Sequence, residues 1–122
     1  MTLTTVQKRL VAASHTSGTR NSPEAKLAGS AIRAYLKQSF PHDTLTFSMG
    51  HFYCSGFVRR GEHVVYYCFN DFRGNAESQY GLFIRTARDT KDYTGGRNHQ
   101  PTLDKFIEGI EALLQIPHLA FP

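Results

Sequence analysis

Residues 52–69 read FYCSGFVRRGEHVVYYCF, and their reading decides the fold. The two arms, FYCSGFV and HVVYYCF, are rich in the β-branched and aromatic residues that suit a pleated surface. RRGEH between them centres on Gly61, a turn residue, so the segment is expected to form a hairpin. The period of two extends in both directions, with LTFSM (45–49) before the hairpin and GLFIRTA (81–87) after it. Four strands in sequence make an antiparallel meander, whose longer connections are NDFRGNAESQ (70–79) and RDTKDYTGGRNHQP (88–101).

Helical spacing flanks this block. TVQKRLVAA (5–13) places Val6, Leu10 and Ala13 on one side, then gives way to SHTSGTRN, a linker composition. Ser22, Pro23 and Glu24 form a helix start: a capping hydroxyl, a proline at the first helical position and an acid at the positive end of the dipole. That helix should run to Phe40, with Leu27, Ala31, Tyr35 and Leu36 on its core stripe, Ile32 and Phe40 at the margins, and Pro41 ending it. Thr102 is expected to cap a last helix carrying Leu103, Phe106, Ile107, Ile110 and Leu113, in which Gly109 permits close packing on the sheet. The expected architecture is therefore α+β: a four-stranded antiparallel meander with N-terminal helices and a C-terminal helix packed on it. The expected organisation is a short helix and linker (1–21), one ligand-binding domain (22–116) and an apolar tail (117–122). A sheet face left without helices must be covered or functional, and further copies of the chain would cover it, so a homo-oligomer is expected.

The 122 residues suffice for one core. No apolar run is long enough for a membrane span, and the N-terminus lacks a signal-peptide block, so a cytoplasmic protein is expected. Cys54 and Cys68 both fall in strands and are expected as buried free thiols. The six His supply neither HxxxH nor HExxH, and no metal or cofactor is expected.

The net charge of +4 and pI near 9.3 favour anionic partners. Seven cations lie between positions 59 and 97: Arg59, Arg60, Arg73, Arg85, Arg88, Lys91 and Arg97. Most are Arg, whose planar fork suits phosphate. In GLFIRTA, alternation puts Arg85 between Phe83 and Ala87 on one strand face. Such an Arg either pairs with a buried acid, Asp71 or Asp92, or grips a phosphate. The following KDYTGG offers Asp92 for ribose hydroxyls, Tyr93 for a base face, Thr94 and Asn98 for phosphate or base edges, and Gly95 and Gly96 for close backbone approach. Asp71, Phe72 and Arg73 make a second set after the aromatic strand. No P-loop and no GxGxxG is present. His51, His63 and His99 have no spacing that ties them to a Ser or Cys nucleophile, so the chain is read as a binder without catalysis.

SGFVRRGEHVVYYCFNDFR (55–73), LFIRTARDTKDYTGG (82–96) and the closing amphipathic helix together resemble the phage Thoeris anti-defence sponge proteins, over roughly residues 27–114. The resemblance implies a multimeric, non-catalytic protein, a hexamer in that family. Such proteins sequester cyclic ADP-ribose-type immune signals near subunit junctions, and some members also take cyclic oligonucleotides. AIRAYLKQSFPHDTLTF (31–47) resembles a helix-strand module of large mobile-element proteins. The alternative is a small basic nucleic-acid-binding or protein-inhibitory module of a mobile element, whose affinity would fall steeply with salt.

Overall fold

The hairpin is the centre of the sheet. In the computed structural model, which describes residues 1–15, 22–73, 79–93 and 95–118, strands Cys54–Arg60 and His63–Phe69 pair antiparallel with Arg60 opposite His63. Gly61 opens the two-residue turn at φ +62°, a conformation glycine adopts without steric cost. The segment expected as one first strand is two short ones, because the backbone leaves the ladder at Thr46 and Phe47. These are β1 (Thr44–Leu45) and β2 (Ser48–Met49), both paired to β3 (Cys54–Arg60). The break is hydrogen-bonded: Thr46 Oγ1 accepts from the Phe57 N–H at 2.9 Å, and the Tyr67 hydroxyl donates to the Thr46 carbonyl at 2.7 Å. After β4 (His63–Phe69), β5 (Leu82–Ala87) completes an open antiparallel sheet of order β1-β3-β4-β5, with β2 also on β3.

The three α-helices among the described residues lie on one face of this sheet. Helix α1 (Leu3–Ser14) buries Val6, Leu10 and Ala13 in the main core. Helix α2 (Pro23–Ser39) starts at Ser22, whose hydroxyl accepts from the Ala25 N–H. Its buried residues are Ala25, Ala28, Gly29, Ala31, Ile32 and Leu36; Ala31, Leu36 and the marginal Ile32 lie inside as expected, but Leu27 is 46% exposed and Tyr35 only half-buried. Small residues win this face because α1 and β2 come close to it, and a Cβ on Gly29 would strike the Met49 sulphur. Near the C-terminus Thr102 makes no side-chain cap bond; a short 3₁₀ turn over Leu103–Lys105 leads into α3 (Phe106–Leu113). Gly109 faces Ile84 of β5 so closely that a Cβ would sit 2.8 Å from Ile84 Cδ1.

Between helices and sheet lie Tyr67, Phe69, Phe72, Phe106, Ile84 and Ile110, all fully buried. Cys54 faces this core, while Cys68, one register step off (it sits opposite Ser55), faces the other side. Both thiols are free, and burial raises both pKa values. The opposite sheet face, expected to need a second copy, is covered by the chain itself. Phe57, Val64, Tyr66, Cys68 and Ala87 form a second buried cluster there, and Tyr93 sets its ring edge-on against Phe57 and Tyr66, with centroids at 5.3 and 5.9 Å. The argument for an oligomer from a bare sheet face therefore does not apply.

Candidate functional site: a buried arginine fork

The second cluster contains a charge. Strand alternation carries Arg85 of β5 onto this face directly opposite Tyr66 of β4, and the guanidinium carbon lies 4.4 Å from the Tyr66 ring centroid. Phe83, two residues back on the same strand face, has its ring centroid 5.9 Å from the same atom. Arg85 is 7% exposed. Its Nη1 reaches Asn98 Oδ1 at a long 3.5 Å, whereas Nε and Nη2 are buried with no hydrogen-bond partner among the described residues. Those two nitrogens form one edge of the guanidinium, two parallel donors matched to a two-oxygen anion. Neither acid that the sequence offered to Arg85 reaches it.

Asp92 is engaged elsewhere. Its side chain is buried, and its two oxygens accept the Gly95 N–H at 2.8 Å and the Arg88 N–H at 3.0 Å, with Arg88 Nε at 3.6 Å. A Cβ on Gly95 would collide with this carboxylate, and one on Gly96, at φ +85°, with the Thr86 carbonyl. The paired glycines thus let the loop close on itself and on β5, and the anion their backbone approaches is the chain's own Asp92. His118 adds to the same place: its Nδ1 lies 3.1 Å from Thr86 Oγ1, while its Nε2, 4.0 Å from Asp92 Oδ2, is too far for a hydrogen bond. Thr86 belongs to the helix-side set of β5, so this contact lies across the strand from Arg85.

Of the residues singled out in the sequence, the fold brings Arg85, Tyr93 and Asn98 to one place, with Arg88, Asp92, Gly95 and Gly96 supporting the loop behind them. Tyr93 is 61% exposed. Thr94 lies outside the described residues. The 70–73 set sits past the far end of β4. There Phe72 is a core residue and Arg73 is held by Asp71, with Nε–Oδ1 at 3.1 Å and Nη2–Oδ2 at 3.2 Å, its guanidinium carbon 4.4 Å from the Phe52 ring centroid. Burial alone would raise the Asp71 pKa, but the hydrogen bonds from Arg73 hold it below the ordinary range. Arg60, too, is occupied. Its guanidinium clasps Asp43 on one edge and Glu111 on the other, at 2.7 to 3.0 Å.

Sequence reasoning placed Phe83 on the face of Arg85 but left Tyr66 and Phe57 unassigned, since either face of β4 would serve as core. The signal that selects them is the β4–β5 register, set across a twelve-residue connection and invisible in local pattern. Among the described residues no three His, Cys, Asp or Glu side chains converge as metal ligands, and no helix is long and apolar enough to cross a membrane. Comparison with known proteins gives no match: no family model fits the chain, and no curated protein or solved structure resembles it significantly.

Proposed function

We propose that the chain binds a small nucleotide anion and holds it unchanged, the anion seated on the Nε–Nη2 edge of Arg85. The observation that supports this reading is full burial combined with an unmet fork. A buried cation without a counter-ion costs several kcal/mol. A phosphate lying in the guanidinium plane meets both donors at once and removes that cost. Tyr66, stacked on the guanidinium, fixes the plane in advance, so less ordering remains for the binding step. Retention without turnover fits the neighbours. Burial raises the pKa of the Tyr66 hydroxyl and of the Cys68 thiol, so both stay protonated at neutral pH and neither serves as base or nucleophile.

The ligands of first interest are the cyclic ADP-ribose isomers and cyclic oligonucleotides that the resemblance implies. In that setting the protein serves a phage or mobile element by withdrawing a host immune signal, as a homo-oligomer in the host cytoplasm. The alternative, cations laid along a nucleic-acid backbone, draws less support, because Arg60, Arg73 and Arg88 already face carboxylates of their own chain.

The test is ligand capture. Protein incubated with a panel of these nucleotides, freed of unbound ligand and then heat-denatured, should release intact nucleotide in stoichiometric amount. Arg85→Met should release none. Equal release from Arg85→Met, or a chemically altered product, overturns the proposal.

A further inference from the structure

The net charge of +4 is not spread evenly over the chain. Helices α1 and α2 carry five of the 14 Lys and Arg (Lys8, Arg9, Lys26, Arg33 and Lys37) against one of the 10 acids, Glu24. The remaining nine cations and nine acids cancel, so the whole excess belongs to the helical layer, across the sheet from Arg85. All five are exposed, and none forms an ion pair among the described residues, whereas Arg60, Arg73 and Arg88 are held by carboxylates. Glu77 is the one acid outside the described residues, so the rest of the chain offers the five at most one further carboxylate.

Three of these cations fall into line. Lys26, Arg33 and Lys37 recur at seven and four residues, which at 3.6 residues per turn confines them to a sector of about 40° and a row about 16 Å long. The row follows the seam between α2 and the β1–β2 edge. Arg33 has its guanidinium carbon 5.9 Å from the Phe47 ring centroid, and Gly29 abuts Met49. The 47–49 segment thus runs antiparallel to α2 and brings the turn that follows it toward Lys26. There Tyr53, 47% exposed, lies against Gly50 and helps to wall a shallow cavity of about 270 Å³, in which the Arg73 guanidinium is stacked on Phe52. The exposed Thr44 and Ser48 stand on the sheet side of the seam.

We infer that this seam binds a single strand of nucleic acid, with phosphates along Lys26, Arg33 and Lys37 and a base on Tyr53. The site is separate from the anion site at Arg85, which lies on the other sheet face. An extended row of unpaired cations suits a polyanion rather than a compact ligand: at about 3.4 Å per phosphate along one strand, the row spans about five. An aromatic ring at the end of a cationic track holds single strands by stacking, whatever the base. A lipid surface fits less well, because Leu27, the exposed large apolar residue of α2, lies about 100° round the helix from Lys26 and outside the row.

Fluorescence anisotropy with a labelled oligothymidylate of about 20 nucleotides, between about 25 and 200 mM salt, tests the inference. Lys26→Gln/Arg33→Gln/Lys37→Gln should weaken binding about tenfold or more and flatten the log–log salt dependence by about 2, at roughly 0.7 per single-strand phosphate contact. Tyr53→Ala should weaken binding several-fold at unchanged slope. Lys91→Gln/Arg97→Gln/Lys105→Gln removes the same charge elsewhere and should bind as the wild type does. Undetectable binding at the lowest salt, or equal losses in the two triple variants, overturns the seam as a site. Equal affinity for the corresponding duplex, with no effect of Tyr53→Ala, overturns the single strand. Tighter binding to phosphatidylserine vesicles or to polyglutamate than to the oligonucleotide overturns nucleic acid as the partner.

Discussion

The Arg85 side chain is buried, yet among the described residues Nη1 alone has an acceptor, and that one at the limit of hydrogen-bond distance. Without ligand this arrangement is destabilising, since among the described residues the desolvated charge is compensated by two aromatic rings, Tyr66 and Phe83, and one long contact to Asn98. Arg85→Met keeps most of the side-chain volume and removes the charge. It is expected to raise the unfolding free energy by about 1 kcal/mol or more, read as a higher denaturant midpoint at unchanged m-value. A lower midpoint would show that the guanidinium is a structural asset and would weaken its assignment as a ligand group. Strand alternation alone made Arg85 legible, because one strand places its own side chains. What Asp92 does was not legible: a carboxylate among Arg, Tyr and Gly has the chemistry of a ribose contact. Only the folded loop reveals that Arg88 and Gly95 supply its partners from the backbone.

The 88–98 loop is organised by that carboxylate, by the two glycines and by the short return to β5, where Ile84 and His99 exchange backbone hydrogen bonds at 2.8 Å. Gly96→Ala puts a Cβ against the Thr86 carbonyl at a left-handed backbone position, and should destabilise the protein by about 1 to 3 kcal/mol. The same change should also loosen Tyr93 from Phe57 and Tyr66. Thermal unfolding, together with faster hydrogen exchange at Gly95 and Arg88, would reveal it; an unchanged melting temperature would mean that the loop has room to shift. Elements with strong local signals were legible, among them the hairpin around Gly61 and the start of α2 at Ser22, Pro23 and Glu24. The α2 stripe was misjudged in part, because hydropathy favours Leu27 and Tyr35, whereas the close approach of α1 and β2 selects Ala25, Ala28 and Gly29. The split of LTFSM into two strands also escaped, since the contacts that hold the break, Thr46 with Phe57 and Tyr67, come from neighbouring strands.

Across the molecule, Arg60 ties together three distant parts of the chain: the segment after α2 through Asp43, β3 itself, and α3 through Glu111. The hydrogen bond from Arg60 is the main cause of a Glu111 pKa below the ordinary glutamate range. A carboxylate with a depressed folded pKa stabilises the fold above its unfolded value and loses that contribution as pH falls through the folded one. The clasp should therefore be intact at neutral pH and weaken below about pH 4.3. Because Glu111 and Arg60 are both partly exposed, Glu111→Gln should cost at most about 1 kcal/mol at pH 7. Melting curves of wild type and variant should converge between pH 7 and 3, whereas a constant gap would assign the cost to packing. The break at Thr46 and Phe47 also bears on the molecule as a whole. It leaves no more than two consecutive residues of regular strand on that side of the sheet, too short a template for an incoming strand of another chain. Fibril-like stacking through this edge is blocked by its shape, and protection of this kind costs the surface no additional charge.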